Sequence, residues 1–469
     1  MSPPNGHYDA VIVGAGISGS FIAHALTERG MRCAVLEAGS DFDRSTYPRA
    51  EIDANARLYW GGGIEMNADA SIGLLRPKVV GGGSVVNQAL VDRFDDLALD
   101  SWREVSGVAF LSRAELDPWY DRAAEQLSIR TVPEEHRNGN AEIFRRGFEA
   151  NGYGWAPLKR AQGDCRFEDG NCCIECLAGC RIDSKQSMPV TVLKRARASG
   201  LTVVADFEAR HVAESAGEVA VTGRARGGAT VTYRAPRAVL ACGAIGNSKL
   251  LLESGFGERL PALGTNFYTH PQYMTLALYD EPVNAHRGPL QSYKSDDPTF
   301  RRGGFKLENV FAPPVAIAML VPGFGRAHMG RMRRITHMAC IEVAVRDTNP
   351  GRIRVGRRGK LIVEKRLGAE DVARRERGRE AIRRIFGATG AREIVDGSFP
   401  IGLHLMGGCG LGTDPARSVV SPEFRLHGSR RIYAGDSSIF PNAPGINPSF
   451  TIAALSLRAA DQIVGDARA

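Results

Sequence analysis

Two kinds of hydrophobic pattern alternate along the chain. The first is a short continuous apolar run that stops at glycine and gives way to an apolar period of three to four residues. Residues 10–13 (AVIV) stop at Gly14, and Phe21, Ile22, Ala25 and Leu26 then fall on one helical face. This pattern predicts a buried strand, a tight turn and a helix. A second strand is predicted at 33–36 (CAVL), ending at Glu37, and the strand, glycine, helix order returns at 237–255 (RAVLACGAIGNSKLLLESG). Between 97 and 148, Trp102, Leu111, Leu116, Trp119, Tyr120, Ala123 and Leu127 recur mostly at helical steps, which predicts packing helices. Short strands are predicted at 201–205 and 219–221. The second pattern fills 256–395, with aromatic and Pro-rich segments, strands at 338–345 and 353–355, and a hairpin turn at Arg358 and Gly359. The first pattern resumes where residues 431–434 lead into Gly435 and Asp436, and a closing helix is predicted at 448–464.

The opening unit carries chemistry. In VGAGISG, Gly14 makes the turn, Gly16 lets a pyrophosphate approach the backbone, and Gly19 lets helix and strand pack closely, so phosphate charge sits at a helix N-terminus. Glu37 lies 23 residues after Gly14, at the end of the second strand, where an acid accepts hydrogen bonds from ribose hydroxyls. A second glycine turn, Gly81, Gly82 and Gly83 before Ser84, implies another close backbone approach to a ligand.

Length and charge narrow the classes. The 469 residues suffice for two or more domains with full cores. The formal net charge is +8, and only nine of the 60 basic residues are lysine. The basic residues are dispersed. The densest run, 374–384, alternates with Glu376 and Glu380 around apolar Ala381, Ile382, Ile385 and Phe386, so it reads as a solvated helix face, and no nucleic-acid partner is expected. Only the seven residues MSPPNGH precede the motif that begins at Tyr8, and no apolar run approaches the ~18 residues of a membrane span. A soluble, cytoplasmic protein is expected. Nine cysteines in such a compartment are expected to be mainly reduced, so a cluster of them points to metal or redox work.

Five separated motifs occur in order: VIVGAGISG with Glu37, VVGGGSVVNQALVDR (79–93), the segment 237–255, HLMGGCGLG (404–412) and IYAGDSSIFPNAPGINPSFTIAALSLRAAD (432–461). Together they resemble the glucose-methanol-choline (GMC) family of FAD-dependent alcohol oxidoreductases, over nearly the whole chain. The segment LYWGGGIEMNADASIGLL (58–75) is similar to the bacterial branch that includes long-chain alcohol oxidases and sugar or polyol dehydrogenase flavoprotein subunits. The resemblance implies an α/β fold: a Rossmann-type FAD-binding domain from residues 1–58, 79–94, 185–255 and 402–469, and a discontinuous α+β substrate domain on an antiparallel sheet from 59–78, 95–184 and 256–401. It also implies that Gly14, Gly16, Gly19 and Glu37 hold the ADP part of FAD, that Gly82, Gly83, Ser84 and Asn87 lie along the pyrophosphate and flavin, that the Ala209 backbone meets adenine, and that Asp436 lies near the ribityl chain.

Oxidising an alcohol by hydride transfer to flavin N5 requires a base for the hydroxyl proton, and histidine suits that role near neutral pH. His404 matches the family's catalytic histidine. The family's second position, histidine or asparagine, falls on Asn447, which can orient a hydroxyl but cannot titrate. His270, in NFYTHPQ, is expected to line or pack near the flavin pocket without a catalytic role.

Cys165, Cys172, Cys173, Cys176 and Cys180 place five cysteines within sixteen residues. Three readings stand: an iron-sulfur cluster, which some sugar-dehydrogenase relatives carry in this region; a zinc or disulfide staple; and reduced cysteines packed in a loop. Tyr59, Trp60, Phe267, Tyr268, Phe305 and the Met-rich stretch 328–338 suit an apolar entrance for a lipid alcohol or a bulky natural product, or ordinary packing. The expected partners are a small-molecule alcohol and an electron acceptor, which is oxygen, a quinone or a redox protein. A flavin and iron-sulfur electron-transfer protein working with a protein partner is the alternative function.

Overall fold

The computed structural model describes residues 7–165 and 172–468, with only the backbone at 172 and 173. The short apolar runs assemble into a five-stranded parallel sheet in the order Ile432–Ala434, Ala238–Leu240, Ala10–Val13, Cys33–Leu36, Thr202–Val204. The four strands other than Thr202–Val204 are buried at every position, as a sheet covered on both faces requires. Ala10–Val13 has its sequence neighbour Cys33–Leu36 on one side and the distant Ala238–Leu240 on the other. Connections therefore leave the sheet in opposite directions at this point, and a crevice opens outside the strand ends. The helices Ile17–Thr27 and Ser449–Arg468 pack on each other.

Residues 208–235 add a three-stranded antiparallel sheet, Glu208–Glu214, Val219–Arg224 and Thr230–Ala235, of which the sequence pattern marks only a part. Its first strand, EARHVAE, is largely polar and half-exposed, so its hydrophobic signal is weak. The predicted helical stretch resolves into Asp96–Ser106, Arg113–Ala124 and Gly139–Ala150, begun by Asp95, Ser112 and Asn138, each of which accepts a backbone N–H in the first turn.

A second sheet forms the other half of the molecule. Its central strands are Pro271–Leu278, Met338–Val345 and Phe305–Asn309, paired antiparallel, and its one parallel pairing joins Ile401–Gly402 to Gly73–Leu74. The helix Ala369–Ala388 covers it with Gly378, Ala381, Ile382, Ile385 and Phe386 buried. A Cβ at Gly378 would lie 2.3 Å from Val343 Cγ2, so glycine sets how closely the helix approaches. On its outer face Arg384 pairs with Glu380, as the alternating charge pattern predicts, whereas Arg379 is largely covered, with its guanidinium over the buried Tyr273 ring. The hairpin at Arg358 and Gly359 joins Arg352–Val355 to Leu361–Glu364.

Candidate active site

A cavity of about 1210 Å³ runs from the carboxyl ends of the parallel strands to the second sheet. At its first end the two glycine turns face each other. Gly14 has φ +105°, and a Cβ on it would meet Ala241 O at 2.3 Å. A Cβ on Gly19 would meet Gly14 O at 1.9 Å, so this glycine serves the strand-helix contact. Gly16 differs, since a Cβ there would meet nothing within 4 Å. The helix Ile17–Thr27 starts at Gly16 without a side-chain cap, and the buried Ser18 Oγ has no partner among the described residues. Uncapped first-turn N–H groups, an orphaned hydroxyl and open space fit a phosphate group.

Glu37 sits beside this cradle. Its Oε2 accepts from Ala15 N at 2.8 Å and its Oε1 from Gly39 N at 2.8 Å, leaving further lone pairs for sugar hydroxyls. Burial, opposed by those backbone bonds, pushes its carboxyl up to about 7. Gly82, Gly83, Asn87, Ala209 and Asp436 also line the cavity. The Asp436 carboxylate is held by Gly243 N at 2.6 Å, Asn247 and Ser438. Ser84 departs from its expected place. Its hydroxyl donates to Gly81 O at 2.6 Å and accepts from Met188 N at 3.0 Å, which closes the turn behind the cavity wall and spends its hydrogen-bonding groups there.

At the other end His404 and Asn447 line the same cavity. His404 Nδ1 lies 2.9 Å from His270 Nδ1, and His270 Nε2 accepts from Gly445 N at 2.9 Å. Burial, then the Lys306 charge, push His404 down to about 3, so the ring is neutral at working pH. Burial also holds His270 well below its ordinary value. Asn447 is 9% exposed and its Oδ1 accepts from Lys306 Nζ at 2.7 Å. That contact orients the amide, so Nδ2 is left as a donor.

Lys306 is the hub of a buried charge cluster outside the sequence-based expectations. Its Nζ reaches Asp92 Oδ2 at 3.1 Å and Glu308 Oε1 at 2.5 Å. Burial alone would raise Asp92, but Lys306 and Lys294 hold it at about 2. Glu308 stands directly opposite Glu342 in the sheet register. Two like charges there repel, and burial followed by Glu308 raises the Glu342 carboxyl well above the usual range. Glu342 lines the cavity, and its Oε1 has no partner among the described residues. The available signal was a glutamate inside the apolar strand MACIEVAV, since a charge in a buried strand needs a reason.

The sequence pattern of the GMC oxidoreductase family matches residues 55–272 and 360–456, and that of an NAD(P)-binding Rossmann-like domain matches 12–68. An uncharacterized GMC-type oxidoreductase of Mycobacterium tuberculosis (strain ATCC 25618 / H37Rv) is 30% identical over 99% of this chain and 77% of its own length. The chain belongs to the GMC oxidoreductase family. A long-chain-alcohol oxidase of Arabidopsis thaliana is 23% identical over 96% of this chain and 67% of its own. Among solved structures, pyridoxine 4-oxidase from Mesorbium loti shares the fold with a TM-score of 0.74 at 18% identity, covering 97% of this chain and 99% of that one. The two-sheet architecture is thus the GMC oxidoreductase fold, with its FAD-binding Rossmann unit.

Two further expectations meet the structure of this GMC oxidoreductase. Among the described residues no group of three or more His, Cys, Asp or Glu gathers as a metal ion needs. Cys176 and Cys180 are buried neighbours, and the Cys176 thiol followed by burial raises Cys180. Cys165 is half-buried, and the side chains of Cys172 and Cys173 lie outside the described residues. The proposed apolar entrance divides. Tyr59 and Trp60 line the cavity, whereas Phe267, Tyr268 and Phe305 are buried in the cores and do not. The wall is completed by Met274, Phe311, Met319, Leu320, Phe399 and Leu403. Among the described residues no helix is long and apolar enough to cross a membrane.

Proposed function

We propose that this GMC oxidoreductase holds FAD as its resident cofactor and oxidises the CH–OH group of a bulky apolar alcohol to a carbonyl. The observation that carries the reading is the sharing of one cavity by the glycine cradle with Glu37 and by the unspent hydrogen-bonding groups of His404 and Asn447. FAD, when bound, supplies a hydride acceptor at its flavin ring. Gly16 and Gly83 would give its phosphates and linker room against the backbone, with Gly14 and Gly82 making the tight turns beside them, Glu37 would accept from its ribose, and Asn87, Ala209 and Asp436 would line the rest of its path. The substrate oxygen rests on the Asn447 amide and the His404 ring. Hydrogen-bond donors aimed at that oxygen favour a state in which negative charge develops on it.

We propose Glu342, in place of the expected His404, as the proton acceptor. A ring with a pKa of about 3 has little drive to take an alcohol proton near neutrality. Glu342 has an unpartnered oxygen, lines the cavity and gains proton affinity from burial and from Glu308, so its ionised form is the better base. The apolar wall and the long-chain-alcohol oxidase relative support long aliphatic or polycyclic alcohols over sugars. The test is anaerobic titration of the purified flavoprotein with primary and secondary alcohols of increasing chain length and with sugars. Bleaching of the flavin by the longer alcohols is expected, and a flavin left oxidised by every alcohol refutes the reading. Peroxide formation on readmitting air then separates an oxidase from an enzyme that uses a quinone or a redox protein.

A further inference from the structure

We propose that His270 is a positioning residue that fixes the ring tautomer of His404, so that His404 meets the alcohol oxygen as a hydrogen-bond donor through Nε2–H. A backbone N–H only donates, so His270 Nε2, 2.9 Å from Gly445 N, is an acceptor and carries no hydrogen. A neutral His270 therefore bears its hydrogen on Nδ1. That nitrogen faces His404 Nδ1 at 2.9 Å, so His404 Nδ1 accepts and the His404 hydrogen must sit on Nε2. The opposite tautomer of His404 would set two N–H groups against each other.

The direction of the Gly445 N–H is itself held. Gly445 has φ +74°, and a Cβ on it would lie 2.7 Å from Arg301 Nη1 and 3.0 Å from Arg346 Cβ, so this peptide is packed between two arginines where a side chain does not fit. Arg346 Nε also donates to Ala443 O at 3.3 Å. The charged groups acting on His270 and His404, namely Arg301, Arg346 and Lys306, are all cationic, and together with burial they keep both rings neutral. Fixing a tautomer through the second ring nitrogen is a general way to orient a reactive imidazole. The expected near-flavin packing role of His270 is thereby sharpened into a role in hydrogen placement.

The use of the donor on an alcohol rests on the function proposed above, whereas the tautomer is readable without substrate. The experiment is nitrogen NMR of histidine-labelled, flavin-loaded enzyme, with the His404 ring assigned by its loss in His404→Gln. Wild type should show a protonated Nε2 and a bare Nδ1. His270→Phe should lose that pattern and slow anaerobic flavin reduction by roughly tenfold, the worth of one hydrogen bond. His270→Gln has an amide oxygen for Gly445 and an amide N–H for His404, so it should recover most of the loss in both readouts. A wild-type ring protonated on Nδ1, or a His404 tautomer unchanged in both His270 variants, overturns the proposal. A protonated Nε2 in enzyme that no alcohol reduces instead upholds the tautomer and refutes the alcohol reading.

Discussion

At the cradle end of the cavity, the groups proposed to meet the cofactor are mainly backbone N–H groups, bare glycines and Glu37. Gly14 to Glu37 lie within thirty residues of one another, and only the second glycine turn, Ala209 and Asp436 are brought in from elsewhere. At the other end the cavity is lined by the side chains of Glu342, His404 and Asn447, with His270 and Lys306 behind them bonded to His404 and Asn447. The first end offers a ligand a shape that local sequence dictates. The second sets protonation and hydrogen direction, which depend on tertiary contacts. Substitutions should therefore separate cleanly, with cradle variants losing flavin and far-end variants keeping flavin but losing its reduction.

The largest separation is expected at His404. His404→Ala should retain flavin and slow anaerobic reduction by alcohol by roughly 10² to 10³, the cost of one donor to a developing oxyanion. Stopped-flow absorbance measures it, and an unchanged rate removes His404 from the site. Next is Glu342→Gln. The wild-type reduction rate should rise with pH as the raised Glu342 carboxyl ionises. The variant should be roughly 10² slower and flat with pH. If the rise survives in the variant, the base lies elsewhere.

At the cradle, Glu37→Ala should weaken flavin binding by about 1.5 to 3 kcal/mol, because it removes an acceptor that is charged when ribose hydroxyls bind it. Retention of full flavin through dialysis would contradict that. Glu37 also predicts a pH effect with a definite sign. Its folded-state value of about 7 lies above that of a free glutamate, so the apoprotein is stabilised by the protonated form at low pH and loses that stabilisation as pH rises toward about 7. Flavin prefers the ionised form and should therefore be released more readily as pH falls below about 7, and equilibrium dialysis across that range measures it. The smallest effect belongs to Ser84. Ser84→Ala should cost about 1 kcal/mol of stability through its lost hydrogen bonds, yet change flavin affinity by less than about twofold. A large loss of flavin would return Ser84 to the cofactor surface.

The comparison also explains what was readable in the sequence. The parallel strands, their glycine stops and the long amphipathic helix follow from local hydrophobic period and glycine, so Ala10–Val13, Cys33–Leu36 and the buried face of Ala369–Ala388 were all legible. His404 and Asn447 were found through family motifs, and the structure sets both on the cavity wall. The role of His270 was not legible, because it depends on the direction of one peptide N–H, 175 residues away. The Glu308 and Glu342 pair depends on cross-strand register, which periodicity does not give. Ser84 misled for the opposite reason: its motif is local, but its hydroxyl is spent on Met188, more than a hundred residues further along.

The most direct test of alcohol oxidation by hydride transfer is single-turnover, anaerobic flavin reduction by a long-chain alcohol deuterated at the carbinol carbon, compared with the same alcohol bearing hydrogen. Cleavage of that C–H bond during flavin reduction predicts a markedly slower reaction with the deuterated alcohol. A flavin that neither alcohol reduces, or that both reduce at the same rate over the full range of pH and concentration, would contradict it.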